Sequence, residues 1–292
     1  MRLSGPIYAL LAISIFAIQD SITKHIGQNY SPFLIAMVRY WAFGLFVILW
    51  AARSRNGFTN AFHTEHLGLQ ILRGLLLTAQ ILISILSITY VGLAQSQAIF
   101  VAAPLIVALL SVPILGEQVG WRRWLAILIG LVGVLIIIDP LGESFSNLAI
   151  LPISCVITMS FYGLFTRLVA RYDSPEVSFF YTGVVGLVLT SLIGPFFWTD
   201  VPLVDWAWLL TLCLTSVSGH YFLIRALALT EAVTVQSITY LQLVYASLIG
   251  FFIFNENITV HMLAGSLIVV AAGGFTIWRE HRLNFANRRK KR

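Results

Sequence analysis

Residues 91–139 and residues 230–278 of this chain follow one pattern at a fixed offset of 139. Gln97 falls on Gln236 and Glu117 falls on Glu256, and a long apolar segment flanks each glutamate. An apolar helix, a short acid-bearing turn and a second apolar helix have been duplicated. Solenoid units recur every 20 to 50 residues or so, about a third of this offset at most, so the spacing points to a doubled half-molecule. Upstream, Ser31-Pro32 aligns with Ser174-Pro175 at an offset of 143, which places Thr23 on Thr166 and Lys24 on Arg167. The first helix pair therefore has a second copy as well. The chain reads as two halves, 1–140 and 147–278, followed by a basic tail at 279–292.

The halves belong in lipid. With 59% hydrophobic and 10% charged residues and a mean hydropathy of +0.89, the chain lacks the polar surface of a soluble domain. A helix needs about 20 apolar residues to cross the hydrocarbon, because every backbone group must be bonded internally there. That window predicts ten spans: 5–25, 33–52, 68–90, 95–115, 122–139, 147–168, 176–197, 204–227, 233–254 and 260–278. The first run is too long and too polar at its end for a cleaved signal peptide and is expected to remain as span one. Turn residues mark the connections, as at Asn29 to Pro32 and Asp173 to Pro175.

Charge sets the topology. Arg2, Arg53, Arg55, Arg122, Arg123, Arg167, Arg171 and the tail share one face of the ten-span arrangement, while Asp139, Glu143, Asp200, Asp205 and Glu256 lie on the other with Lys24. The positive-inside rule then puts both termini in the cytoplasm of a bacterial inner-membrane protein. Anionic lipid accounts for the net charge of +6, and no nucleic-acid partner is expected. Five spans per half make the second half enter the membrane from the opposite face. Inverted repeats of this kind recur in secondary transporters, whose halves rock about a site near the bilayer midplane.

The pattern PLIVALLSVPILGEQVGWRRWLAILIGLVGVLII, echoed by LVYASLIGFFIFNENITVHMLAGSLIVVAAGG, resembles the duplicated EamA domain of the drug/metabolite transporter superfamily. More closely, the chain is similar to the bacterial aromatic amino acid exporters of that superfamily. The resemblance covers essentially the whole chain, including Lys24 and Arg39. It implies a ten-helix inner-membrane exporter with spans three, four, eight and nine around a central cavity. The second copy departs from the pattern at Leu243, opposite Pro104, and at Asn255, opposite Gly116.

Polar residues inside spans carry the candidate chemistry, since hydrocarbon makes each of them expensive. Arg39 and Asp20 lie at similar depth near the outer side, and Asp20 and Lys24 share a face at i, i+4. An Asp20–Arg39 pair is expected, shared with Lys24, serving either as a static pin or as an outer gate or substrate-carboxylate contact. Glu117 and Glu256 precede helices on opposite faces of the membrane, and each is expected to cap the helix that follows it. Conformational gating and proton coupling are the other roles open to them.

A permissive amino acid site is expected from Gln80 and Ser84 of span three, Ser216 and His220 of span eight, and Gln236, Tyr240, Gln242 and Tyr245 of span nine. Interhelical hydrogen bonding is the plainer use of the same groups. Pro104 should bend span four beside the cavity. Gly130, Gly133, Gly273 and Gly274 suit close packing, within a monomer or at a weak homodimer contact. A proton could be carried by His220 or Asp20, which leaves coupled and uncoupled transport open.

Cys155 and Cys213 read as small apolar residues. No HExxH pair, Gly-rich phosphate loop or EF-hand spacing occurs, so no metal or cofactor has sequence support, and no nucleophile sits beside a base as an enzyme would require. The expected function is export of amino acids, aromatic ones among them. Nucleobase-like metabolites or drugs are the alternative cargo, and a passive channel is the alternative class.

Overall fold

Lipid gives a backbone no bonding partner, and the long apolar segments accordingly close their own hydrogen bonds as helices. The computed structural model describes residues 4–53, 63–116, 120–139, 147–229, 235 and 238–290. Its helices are α1 (Gly5–Gly27), α2 (Pro32–Arg53), α3 (Leu67–Tyr90), α4 (Leu93–Phe100), α5 (Ala103–Leu115), α6 (Trp121–Ile138), α7 (Ile150–Val169), α8 (Pro175–Ile193), α9 (Leu203–Leu229), α10 (Leu241–Phe254) and α11 (Val260–Lys290). Short 3-10 turns at Asn147–Ala149 and Gly194–Phe197 adjoin α7 and α8, and no strand occurs among the described residues.

Six helical segments are long and apolar enough to cross a membrane, with α4 and α5 counting together as Leu93–Leu115. Shorter apolar helices cover Trp124–Ile138, Leu241–Phe254 and Val260–Phe275. Phe196 and Leu203 are each 87% exposed and many other large apolar side chains face outward, a surface that fits lipid and not water. This is a multi-pass membrane protein.

The ends of the helices repeat between the halves. Ser31 and Ser174 each precede a proline at a helix start; the Ser31 hydroxyl accepts the Phe33 N–H (3.3 Å) and the Ser174 hydroxyl accepts the Val177 N–H (3.4 Å). At the other end, α5 closes on Gly116 at φ 69° and α10 on Asn255 at φ 52°. Both are left-handed caps, and asparagine is the side-chain-bearing residue that best tolerates that conformation. The exchange of Gly116 for Asn255 therefore preserves the turn.

Span four is broken. Val101 and Ala102 form a turn between α4 and α5, immediately ahead of Pro104 in the first turn of α5. Proline has no N–H to give the carbonyl of Phe100, which is where α4 stops. Tyr240 is a turn residue at the corresponding place before α10, with no proline to impose it.

Helix α1 packs on α9 and α3 packs on α7; α2 lies against α8 and α9, α4 against α10, and α6 along α11. Two large apolar cores result, with two smaller clusters beside them. Ile22, Leu34, Ile81 and Leu209 belong to one, built on α1, α2, α3 and α9. Ile99, Leu105, Ile127, Val156, Leu243 and Val269 belong to the other, built on α4 to α7, α10 and α11.

The α6–α11 contact brings backbones together. A Cβ added at Gly265 would lie 2.5 Å from the Gly133 carbonyl oxygen, and one at Gly133 would lie 2.9 Å from that of Gly265. Backbone cannot swing aside, so Gly265→Ala should lower stability by about 1–3 kcal/mol. The thermal midpoint in detergent checks this against Gly274→Ala on the same helix, where an added Cβ meets nothing within 4 Å.

Candidate functional site

Three polar clusters tie the helices together, and apart from them Arg39 and Ser216 border a cavity. The first surrounds Glu256. The left-handed Asn255 turns the chain at the end of α10, and the Glu256 N–H bonds the Gly250 carbonyl at 2.9 Å. The carboxylate accepts the N–H groups of Leu93 (2.7 Å) and Ala94 (2.8 Å) and pairs with the Lys24 ammonium. Glu256 thus caps α4, in the other half of the chain, and not the helix that follows it. Thr259 performs that task, its hydroxyl accepting the Met262 N–H at 3.1 Å. The expected cap is corrected accordingly. An orphan helix start and a buried lysine together offer Glu256 more than α11 does. Gly92, at φ 116°, lets the start of α4 approach: a Cβ there would stand 3.2 Å from the carboxylate.

The second cluster is centred on Asp20, which is 9% exposed. Its Oδ2 accepts the side-chain amides of Gln97 (2.7 Å) and Gln242 (2.8 Å). These bonds run from α1, in one core, to α4 and α10, in the other. The expected Asp20–Arg39 salt bridge does not form, the two acting on each other only at longer range, and Lys24 joins Glu256 instead. Equal depth was not enough: α1 turns towards α9, α10 and α3 and barely meets α2, whose neighbours are α8 and α9.

Arg39 is buried on α2 and donates from Nε to the Ser216 hydroxyl on α9 at 2.9 Å. Its two terminal nitrogens have no hydrogen-bonding partner among the described residues, and no acid among them forms a salt bridge with it, although Asp20 acts on its charge at longer range. Arg39 lines a narrow cavity together with Tyr40 and Phe43 of α2, Leu77 and Ile81 of α3, and Ser216 and His220 of α9. The cavity has room for about one water molecule in this conformation. His220 donates from Nδ1 to the Ser216 carbonyl (2.8 Å) and meets the rings of Phe16 and Phe43.

A third cluster ties α3 to α7 and the start of α8. Arg73, 2% exposed, donates to the Thr166 hydroxyl (2.9 Å) and to Gln70 Oε1 (2.6 Å), and its guanidinium lies 5.4 Å from the Tyr162 ring centre. Gln70 in turn donates to Asp173 (2.7 Å) and Ser178 (3.3 Å). Sequence reading passed over Arg73 and Gln70 because an arginine near a cytoplasmic helix end reads as a flanking charge. Their i, i+3 spacing on one helix face was the available signal.

Of the other expected site residues, Gln80, Ser84 and Tyr245 are half-buried, and their side chains form no hydrogen bond among the described residues. The Tyr240 hydroxyl is buried with no hydrogen-bond partner among the described residues, against the place where Gly273 lacks a Cβ. Gln236 and Glu117 lie outside the described residues. The cavity is thus lined by span two as well as by spans three and eight. Gly130 and Gly133 are spent on packing inside the chain, against Leu105 and Gly265. Cys155 and Cys213 are free and buried.

Residues 3–139 and 147–278 each match the EamA-like transporter family. The chain belongs to the EamA-like transporter family. Among its EamA relatives, an S-adenosylmethionine uptake transporter of Rickettsia prowazekii is 23% identical, over 95% of this chain and 94% of that one. A riboflavin transporter of Vibrio cholerae is 28% identical, over 94% of each chain. A pseudopaline exporter of Pseudomonas aeruginosa is 24% identical, over 92% of this chain and 94% of that one. One solved crystal structure shares the fold at a TM-score of 0.65 and 17% identity, covering 95% of this chain and 98% of its own. The EamA match and these relatives make the chain a secondary transporter of small molecules; the relatives are transporters and not enzymes.

Proposed function

We propose that this EamA protein exports amino acids across the bacterial inner membrane by alternating access between two inverted five-helix halves, with both termini cytoplasmic. One observation carries the cargo: Arg39 forms no salt bridge among the described residues and borders a cavity between helices. A guanidinium fork matches a carboxylate in two parallel hydrogen bonds, and a substrate carboxylate supplies the direct contact that Asp20, acting on Arg39 only at a distance, does not. S-adenosylmethionine, the cargo named for several relatives, is itself an α-amino acid. The aromatic wall of Phe43 and His220 suits aromatic side chains.

The packing supports the inverted arrangement. Exchanging the halves turns the α1–α9 contact into the α3–α7 contact and maps the α2–α8, α4–α10 and α6–α11 contacts onto themselves. The Glu256 cluster shuts the end of α1, which the charge distribution places outside. The Gln70–Asp173 cluster joins the halves on the inner side. Opening either face requires breaking one of these ties, and the narrow cavity fits an occluded resting state.

A flat heteroaromatic metabolite is the second reading, favoured by the riboflavin-transporting relative and the same aromatic wall. The deciding experiment is uptake of radiolabelled amino acids into proteoliposomes, with and without an imposed pH gradient. Saturable uptake that other amino acids compete for is expected. Competition by riboflavin alone favours the second reading, and uptake that never saturates favours a channel. Faster uptake under the gradient adds proton coupling, with Asp20 and His220 the groups to replace first.

A further inference from the structure

Helices α6 and α11 meet backbone to backbone at Gly133 and Gly265, and residues from the first half of α6 and the facing stretch of α11 line a groove. The gap between them is a groove of about 810 Å³, counting the space at its open side. Small side chains, Ala126, Ala271 and Ala272, form its floor, and Leu125 and Phe275 stand at its flanks. The crossing at the two glycines fixes the helices at the far end, so the groove is built in and does not depend on a side chain swinging out.

One charged group lines it. Arg122 sits where the groove meets the start of α6, its guanidinium 5.4 Å from the ring centre of Trp121, itself 70% exposed. Among the described residues no acid lines the groove, and none pairs with Arg122. The positive-inside reading places this end at the cytoplasmic leaflet, where anionic headgroups concentrate and tryptophan settles at the interface. A long apolar slot ending in one unpaired cation matches a ligand with an acyl chain and one net negative headgroup.

We propose that the α6–α11 groove is a binding site for one anionic phospholipid of the inner leaflet, its acyl chain along the alanine floor and its phosphate on Arg122. A second copy of the chain is a poorer occupant. Such an interface would bury Arg122 against this same acid-free surface, and a buried charge without a partner is costly.

Native mass spectrometry of the detergent-purified protein, titrated with phosphatidylglycerol and phosphatidylcholine of the same acyl chains, tests the site. A single saturable phosphatidylglycerol adduct is expected, favoured about fivefold over phosphatidylcholine, the effect of one basic residue at a lipid surface. Arg122→Gln should remove the preference and leave weak binding of both lipids. Ala271→Phe, which fills an exposed floor position and keeps the charge, should remove the adduct itself. Arg53→Gln, a basic residue outside the groove, should change neither. Equal binding of the two lipids by the native protein overturns the proposal. So does a preference that survives Arg122→Gln or is lost equally in Arg53→Gln, or a dimer cross-linked through Leu125→Cys in neutral lipid.

Discussion

Arg39→Gln is expected to abolish high-affinity substrate binding and to leave the thermal midpoint unchanged or higher. The sign of the second effect makes the first informative. A buried arginine without a salt-bridged acid, eased only at a distance by Asp20, costs free energy in the empty protein, so a neutral side chain that can still reach the Ser216 hydroxyl relieves that cost. Binding should fall by about 2–5 kcal/mol, from some thirtyfold to several thousandfold, the range for losing one partner of a buried charge pair. Arg39→Lys keeps a point charge without the planar fork and should lie between the two, about tenfold weaker than the native protein. Titration calorimetry and a thermal melt in the same detergent read both quantities. A fall in midpoint with affinity intact would make Arg39 a pin between α2 and α9 and remove it from the binding site.

Glu256→Ala should have the largest effect on stability. It strands Lys24, 7% exposed, without a counter-charge and leaves the Leu93 and Ala94 N–H groups without an acceptor. Breaking a buried pair in this way costs about 3–5 kcal/mol, and losing a helix cap about 1 kcal/mol within that total. Hydrogen exchange gives the local signature: amides at 93–96 should exchange faster in Glu256→Ala, while those at the start of α11 should not change. The double variant Lys24→Met with Glu256→Gln removes both charges and keeps an acceptor for α4. It should recover most of the lost stability. If Glu256→Ala speeds exchange at residues 260–263 instead, the glutamate acts on its own helix after all.

These two residues also mark how far the sequence could be read. Apolar run lengths and Ser-Pro helix starts are local properties, and most of the described helices lie within a few residues of where those properties place them, while α10 begins only at Leu241 and α11 runs on to Lys290. Pro104 announced the break in span four because a missing N–H is written in the residue itself. The turn at Tyr240 carries no such mark, and neither does Asn255 until its left-handed backbone is seen. The partners of the polar side chains were the least legible. Depth along a helix follows from counting residues, but direction around it depends on which helices become neighbours. Asp20 and Arg39 share a depth and face different helices, so Asp20 found Gln97 and Gln242, and Arg39 found Ser216. Glu256 was misjudged for the same reason, since the nearest helix start in the chain was not the nearest in space.

The Glu256 cluster bears on how the protein is made. Glu256 lies 163 residues after Leu93 and 232 after Lys24. At about 5–20 residues per second, a ribosome needs roughly 8–30 s to travel from α4 to the glutamate that completes it. Through that interval the newly inserted amino-terminal half holds a lysine and a helix start whose acceptor has not yet been synthesised. The nascent first half is therefore an unfinished piece, kept in the bilayer by whatever shelters it at the insertion machinery until the last hairpin arrives. A gene split between the halves should yield little stable first half unless the second is made beside it.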